Sequence, residues 1–227
     1  ETDENYRITK AVQMLKMLED SDVPVPELAM DASQETVPYF VTVFQEDTRP
    51  EEHISDWDLE IVNDVVFQAG KHLGSLHDQF SWDGQYGELR ADQDGLKVDG
   101  HDSWKDYVRN EGEQYIEDIS TLDGVDRWVL KVAEDALEKC VESVPENPEN
   151  RVLHGDYKPS NMIIYGNEVG TVIDWDNALA GDPDFDYTAA EEDWANHFSN
   201  KGRGVVRETF SNGYEAGGSQ TPESQKK

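Results

Sequence analysis

The stretch His154-Gly-Asp-Tyr-Lys-Pro-Ser-Asn161, followed at Ile173-Asp-Trp175 by a second short motif, decides the fold of this 227-residue chain. Asp156 and Asn161 lie on one predicted loop, and a predicted hairpin returns Asp174 to the same edge. Phosphoryl transfer depends on positioning and charge neutralisation, so a base and two oxygen ligands on adjacent loops are the layout it needs. The two motifs therefore indicate a phosphoryl-transfer site.

Each polar residue of these motifs has a predicted role. Asn161 and Asp174 offer oxygen ligands to Mg²⁺, whose shell phosphates and water complete. Asp156 faces the acceptor hydroxyl as a base or orienting group. Lys158 brings a point charge to the transferring phosphate, and His154 braces the loop rather than titrating. An aspartate before a turn usually makes only a local hydrogen bond, but the ordered combination of strand, loop, hairpin and second aspartate favours the functional interpretation.

The charge balance is strongly acidic, with 19 Lys and Arg against 50 Asp and Glu and a net charge of −31. This composition excludes nucleic acid as the expected partner, because phosphate backbones are bound by Lys and Arg. A polycationic partner is one alternative. A protein of a halophile is the preferred interpretation, because molar salt screens charges over about 3 Å. With no long apolar run and no signal-peptide pattern, we expect a cytoplasmic protein without a membrane segment.

Apolar spacing predicts the helices and places particular residues on their faces. The predicted helices span residues 7–19, 55–80, 102–119, 126–144, 186–198 and 203–214. Lys10 falls on the polar side of the first helix, whereas Trp128 and Cys140 fall at apolar positions predicted to be buried.

Strands and loops follow from β-branched and aromatic runs and from turn residues. The predicted strands are Tyr39–Phe44, taken as buried, Arg151–Leu153, and a hairpin of Met162–Tyr165 with Thr171–Ile173. Residues 81–100 are predicted to form a polar loop. The polar composition of residues 216–227 predicts a disordered tail.

With Gly181-Asp-Pro-Asp-Phe-Asp186, the two motifs resemble those of the aminoglycoside phosphotransferase and choline kinase-like family of small-molecule kinases. The resemblance covers most of the chain and is specific over residues 151–186. It implies an α+β, protein-kinase-like fold: a remnant of a small β lobe, and a mainly helical large lobe that carries a catalytic-loop β-hairpin. It also implies a partial N-terminal lobe over residues 1–48 and a catalytic lobe over 49–215.

By this resemblance the chain is a kinase that uses ATP and Mg²⁺ to phosphorylate a hydroxyl of a small molecule, such as an aminoglycoside-, choline- or homoserine-like acceptor. Asp156 would be its catalytic base, Asn161 and Asp174 its metal ligands, and Asp186 a brace for the catalytic loop.

Other parts of the family pattern carry the nucleotide. Phe44, Gln45 and Glu46 would pass beside the adenine. The family's glycine-rich hairpin and strand lysine are not found ahead of the first helix, and Thr9 stands near the place of the helix glutamate. The resemblance therefore implies a chain shortened at both ends and leaves a second hypothesis open, a catalytically impaired pseudokinase or gene fragment. A metal-dependent phosphohydrolase is a more distant alternative, because it would need more clustered carboxylates or histidines.

Overall fold

The chain folds into helices joined by short antiparallel strands, and the computed structural model describes residues 3–44, 57–92 and 94–222, with side chains from residue 6 onward. Within these residues the α-helices are Asp3–Leu18 (α1), Leu59–Gln79 (α2), Trp104–Ser120 (α3), Arg127–Ser143 (α4), Pro183–His197 (α5) and Arg203–Ala216 (α6). The strands are Leu28–Ala32 (β1), Tyr39–Thr42 (β2), Gly87–Asp92 (β3), Gly95–Val98 (β4), Arg151–Leu153 (β5), Met162–Tyr165 (β6), Glu168–Val172 (β7) and Leu179–Gly181 (β8). Short 3₁₀ turns lie at Pro159–Asn161, Trp175–Asn177 and Ser199–Lys201.

Helices α2 and α6 pack along one another with their backbones in contact. A Cβ atom at Gly70 would lie 2.1 Å from the carbonyl oxygen of Phe210, and one at Gly74 would lie 2.2 Å from that of Tyr214. Only glycine leaves room for such an approach, so the two helices meet without a side-chain layer at these positions. The apolar face of α2 is buried beside this contact and also packs against β5, the strand from which the 154–161 loop departs. The helical core therefore supports the start of that loop.

The antiparallel strands bring the two motifs to one place. One sheet has the order β4-β3-β8-β5, and β6 and β7 form a separate hairpin. In that hairpin Met162 pairs with Val172. Because Asn161 immediately precedes Met162 and Ile173 immediately follows Val172, the ends of both motifs lie at the open end of the hairpin.

The predicted helices are all present, with ends shifted by a few residues. The start of α2 was predicted from a capping pattern at 55–58. The helix instead begins at Leu59, with Asp58 at the N-cap and no side-chain capping bond, and Ser55 lies outside the described residues. The strand Arg151–Leu153 and the β6–β7 hairpin are confirmed, although the second strand of the hairpin spans Glu168–Val172 and not the predicted Thr171–Ile173. In the part of the chain that the structure describes, no helix is both long and apolar enough to span a bilayer.

The predicted polar loop over residues 81–100 is wrong, because β3 and β4 form an antiparallel hairpin there. Acidic and glycine residues conceal the strand alternation in this stretch. The inner position Leu89 is fully buried, and β3 also pairs with β8, a strand about 90 residues later in the chain. That long-range pairing stabilises the hairpin and is invisible to a local pattern.

The strand predicted at Tyr39–Phe44 is shorter and is not buried. It ends at Thr42, and Tyr39 and Val41 are exposed. Its partner is β1, which the sequence reading missed. A two-stranded sheet leaves an open edge and an open face, which explains why apolar side chains remain exposed here.

The burial predicted for Trp128 and Cys140 is also wrong. The Trp128 residue is 67% exposed, and Cys140 is exposed as well. Helix α4 packs mainly against α3, so most of its surface faces solvent although its sequence has an apolar stripe. The α3–α4 pair thus projects from the core.

Part of the tail predicted to be disordered is packed against α2 and α6, although Gly218 and Gln220 are exposed. The Ser219 hydroxyl donates to the carbonyl of Gly74 at 2.8 Å, and the Thr221 hydroxyl donates to the carboxylate of Glu215 at 2.7 Å. Thr221 and Pro222 are buried. Polar composition alone predicts disorder, but it does not show that Ser219 and Thr221 find hydrogen-bond partners on α2 and α6. The predicted lobe boundary at 48/49 lies outside the described residues.

Candidate active site

Asp156 and Asn161 face each other across a tight loop after β5. The Asn161 side-chain Nδ2 donates to the backbone carbonyl of Asp156 at 2.9 Å and to its Oδ2 at 3.0 Å. Lys158 has extended backbone, and Pro159 opens the short 3₁₀ turn that ends at Asn161. The proline suits this position because its fixed φ angle matches the first residue of a helical turn, where the backbone N–H that proline lacks has no partner within the turn. The local sequence therefore brings the two predicted side chains into contact.

Asp174 reaches the same region from the other end of the hairpin. The backbone N–H of Ile173 donates to the carbonyl of Asn161 at 2.9 Å, which ties the two loops together. Asp174 has φ 67° and ψ 63°, and it is the non-glycine residue with positive φ in the described part of the chain. Such backbone strain is concentrated at functional sites. The strained conformation turns the chain sharply into the 3₁₀ turn that starts at Trp175.

His154 is fully buried and connects the loop that carries Asp156 with the strand end that precedes Asp174. Its Nδ1 accepts from the backbone N–H of Asp156 at 3.2 Å, so its Nε2 carries the proton and donates to the carbonyl of Ile173 at 3.1 Å. Burial lowers the pKa of His154, although the nearby Asp186 and the carbonyl of Ile173 oppose that shift. Both nitrogens of the imidazole are therefore engaged by the two loops, and the bracing role of His154 stays a prediction.

Asp186 supports the start of the loop from helix α5. Its Oδ2 accepts from the backbone N–H of His154 at 2.8 Å, and its Oδ1 accepts from that of Gly155 at 3.1 Å. His77 donates to the same Oδ2 at 3.3 Å and accepts from the Tyr214 hydroxyl at 2.7 Å. Burial acts to raise the pKa of Asp186, but the hydrogen bonds and the histidines outweigh it and the pKa is lowered. The sequence singled out Asp186 but not His77 or Tyr214, since their helices are distant in the chain.

Lys158 lies beside the predicted base. Its Nζ is 2.7 Å from Asp156 Oδ2, and its side chain is partly exposed. The hydrogen bond to Asp156 raises the pKa of Lys158. Burial opposes this shift, and the charges of Asp174 and Asp193 add smaller contributions to it. The ammonium therefore faces the same carboxylate that the acceptor hydroxyl would approach.

The side-chain oxygens of Asn161 and Asp174 suit a magnesium ion whose remaining ligands are phosphates and water. Among the described residues, no hydrogen bond occupies the Asn161 Oδ1 or the Asp174 carboxylate, whereas the Asn161 Nδ2 is used by Asp156. No cluster of three His, Cys, Asp or Glu side chains suited to a metal occurs within the described ranges. Mg²⁺ is usually held by one or two protein oxygens together with phosphates and water. An amide oxygen and a carboxylate fit that pattern.

A cavity of about 500 Å³ opens next to these loops, between α3 and the residues after β5 and β7. Its polar and aromatic wall includes Glu88, Tyr107, Glu111, Tyr115, Asp176 and Phe185. The sequence reading missed this set, because Glu88 lies in the hairpin predicted as a loop and the α3 residues show only helical periodicity. A volume of this size is typical of small-molecule sites.

The predicted nucleotide segment is only partly described. Phe44 follows β2 and is 85% exposed. Gln45 and Glu46 lie outside the described residues. Their predicted placement beside the adenine stays a prediction.

The comparisons with known proteins agree with this architecture. A profile of the phosphotransferase enzyme family (APH) matches residues 4–224. The macrolide 2'-phosphotransferase MphH from Brachybacterium faecium, as apoenzyme, has a TM-score of 0.63 at 17% identity, over 98% of this chain and 69% of that chain. A thermostable mutant of aminoglycoside phosphotransferase APH(4)-Ia, in a ternary complex with AMP-PNP and hygromycin B, has a TM-score of 0.64 at 14% identity, over 93% and 73%.

A streptomycin–ATP ternary complex of APH(2")-IIa is also similar, with a TM-score of 0.58 at 14% identity, over 93% of this chain and 72% of that chain. A search of curated protein sequences gives no match. At such low identities these likenesses show the fold, and the predicted protein-kinase-like architecture is confirmed. The family match extends over nearly all of the sequence, so this chain belongs to the phosphotransferase enzyme family.

Proposed function

We propose that this protein transfers the γ-phosphoryl group of ATP, with Mg²⁺, to a hydroxyl of a small molecule. The observation that carries the proposal is the contact between the two motif loops. Asn161 donates to Asp156, and Ile173, the neighbour of Asp174, donates to Asn161. The two loops that carry Asp156, Asn161 and Asp174 are thus hydrogen-bonded to each other. Family membership supports the same reaction class.

Each residue has a defined task in this proposal. Asp156 orients the acceptor hydroxyl and receives its proton as the new O–P bond forms and the bond to the leaving ADP breaks. Asn161 and Asp174 hold Mg²⁺, which neutralises charge on the phosphates when it is bound. Lys158 adds a positive charge beside Asp156. His154 and Asp186 keep the loop in place, so little reorganisation is needed during the reaction.

The cavity beside α3 is the proposed acceptor site. Carboxylates of Glu88, Glu111 and Asp176 line it together with the aromatic rings of Tyr107 and Tyr115. Carboxylates and aromatic faces both attract ammonium groups. We therefore favour an amino-bearing alcohol as the acceptor. The solved complexes with hygromycin B and streptomycin contain acceptors of this kind.

The deciding experiment combines binding and turnover in molar KCl, the solvent that we propose for a chain of net charge −31. Calorimetry should detect ATP binding that requires Mg²⁺ and disappears with EDTA. ³¹P NMR should detect a phosphate monoester when hygromycin B, streptomycin, choline or homoserine is added. Binding without any phosphorylated product would favour the pseudokinase alternative, and the absence of both would reject the proposal.

The acceptor site has its own control. Glu111→Gln should weaken the apparent affinity for an amino-bearing acceptor, because one cavity carboxylate is lost. Glu113→Gln is the matched control, since Glu113 is exposed on the same helix and does not line the cavity. Equal effects of the two variants would place the acceptor elsewhere.

A further inference from the structure

Lys10 is buried, although the helical pattern of α1 placed it on the polar side. Its exposed fraction is 0%, and its Nζ donates to the backbone carbonyl of Asp176 at 2.6 Å. This contact joins residues 166 positions apart in the chain. The helical periodicity predicts that Lys10 faces solvent, and positions where such a local pattern fails are often functional or strained.

Within the described residues, the Lys10 ammonium has one carboxylate as an ion-pair partner. Glu88 Oε1 lies 3.5 Å from Nζ. The Tyr6 hydroxyl lies 2.9 Å from the same Oε1 and 2.8 Å from the carbonyl of Leu89, and either oxygen can accept its single proton. Arg90 lies 3.6 Å from the other carboxylate oxygen. Burial lowers the pKa of Lys10, while Glu88 and Asp176 oppose that shift. Tyr6 and Lys10 are one turn apart on α1, so a single helix face holds Glu88 in place.

Stability alone explains this arrangement poorly. Removing an ammonium group from water carries a desolvation cost that can exceed the attraction of its ion pair, so buried pairs often contribute little net stability. An apolar side chain of similar length would fill the same space without that cost. What Lys10 provides, and an apolar side chain would not, is a hydrogen bond to the backbone carbonyl of Asp176.

That carbonyl belongs to the turn that follows the proposed metal ligand. Asp176 lies in the 3₁₀ turn Trp175–Asn177, directly after the strained Asp174. We propose that Lys10 is a positioning residue that anchors this turn to α1 and so fixes the direction of the Asp174 carboxylate. Its role toward metal rests on the proposed function, whereas its anchoring of the turn does not.

The arrangement also connects the metal loop to the acceptor cavity. Glu88 and Asp176, the two partners of Lys10, both line that cavity. An acceptor that contacts Glu88 would therefore touch the same ion pair that holds the turn. Lys10 occupies the point where the two halves of the proposed site meet.

The test compares Lys10→Met with Lys16→Met. Methionine keeps an unbranched apolar chain but removes the charge and its donors. Lys16 is the matched control, because it lies on the same helix and pairs with Asp31 at the surface. Hydrogen exchange followed by mass spectrometry would be measured over residues 173–178, where the N–H of Ala178 donates to the carbonyl of Trp175.

We expect exchange over 173–178 to rise about tenfold or more in Lys10→Met, while exchange in α2 and α6 stays unchanged. Lys16→Met should match the wild type throughout. A role limited to stability would instead raise exchange throughout the core or leave it unchanged. Unchanged exchange over 173–178 in a folded Lys10→Met protein would overturn the proposal.

A second variant keeps the proposal testable if Lys10→Met does not fold. Glu88→Gln leaves Lys10 in place but removes its counter-charge, and it should loosen the same turn to a smaller degree. Metal binding is tested separately with Mn²⁺ and ATP, by electron paramagnetic resonance. We expect the dissociation constant of Mn²⁺–ATP to be about tenfold larger in Lys10→Met than in the wild type. If wild-type protein binds no Mn²⁺–ATP, the proposed function fails, while the exchange arm still decides the anchoring role.

Discussion

The carboxylate of Asp186 accepts a hydrogen bond of 2.8 Å from the backbone N–H of His154, which lies 32 residues earlier in the chain. Asp186 stands in the first turn of α5, and His154 directly follows β5. This bond attaches the loop that carries Asp156 to the helical core.

Asp186→Asn should destabilise the protein. The amide offers only one oxygen acceptor, and its NH₂ group would face backbone donors, so one buried N–H loses its partner. We expect the free energy of unfolding to fall by about 2–4 kcal/mol, measured by urea denaturation. Glu208→Gln, an exposed change on α6, should alter it by less than about 0.5 kcal/mol. Equal effects would show that the Asp186 network contributes no special stability.

Asp156→Asn should reduce the rate of phosphoryl transfer by about 100-fold or more, because the amide cannot receive the acceptor proton. Nucleotide affinity should stay unchanged, since the amide oxygen can still accept from Asn161. Single-turnover kinetics and calorimetry measure the two quantities. Ser160→Ala, in the same loop, should keep the wild-type rate. A normal rate in Asp156→Asn would remove Asp156 from the chemistry.

Asp174→Gly should change stability and binding in opposite directions. Glycine adopts the left-handed backbone of this position with little strain, so the free energy of unfolding should rise by about 1 kcal/mol. Loss of the carboxylate should weaken Mg²⁺-dependent ATP binding by about tenfold or more. Asp174→Asn is the control, because asparagine also tolerates positive φ. It should weaken binding without the gain in stability. Binding that persists in both variants would contradict the assigned metal ligand.

Asp182 should give the protein a pH-dependent stability. Burial raises its pKa from 3.8 to about 6, although a hydrogen bond from the N–H of Asp184 opposes the shift. Between about pH 4 and 6 the folded state keeps a proton that the unfolded state has lost. The stabilisation from this group is therefore complete below pH 3.8 and is lost as the pH rises to about 6.

Asp182→Asn mimics the protonated form and keeps a capping oxygen for helix α5. Its stability relative to wild type should improve by about 1–3 kcal/mol between pH 4 and pH 7, as measured by urea denaturation across that range. Asp182→Ser also keeps a capping oxygen and should follow the same trend. A difference that does not vary with pH would exclude ionisation of Asp182 as the cause.

Much of the candidate site could be predicted because its residues are close in sequence. Asp156, Lys158 and Asn161 share one loop, and the β6–β7 hairpin places Asp174 by a short-range pairing. The turn at Gly166 and the strand alternation determine that pairing locally. The same local logic found the helices, whose apolar spacing repeats over several turns.

Other features could not be predicted because their cause is distant in the chain. The β3–β4 hairpin depends on the pairing of β3 with β8. The acceptor cavity combines Glu88 from that hairpin with Tyr107 and Glu111 from α3. Trp128 shows the opposite error, because its helix has an apolar stripe but none of the described residues covers this side chain.

The sequence by itself determined the family, the helices and the order of the motif residues, because each of these depends on neighbours within a few turns or one hairpin. Only the tertiary structure decided that Lys10 is buried against Asp176, that Asp186 joins His77 and His154, and that a cavity lies beside the motif loops. These features depend on which distant surfaces meet, and the burial of polar groups is settled by the partners they find there.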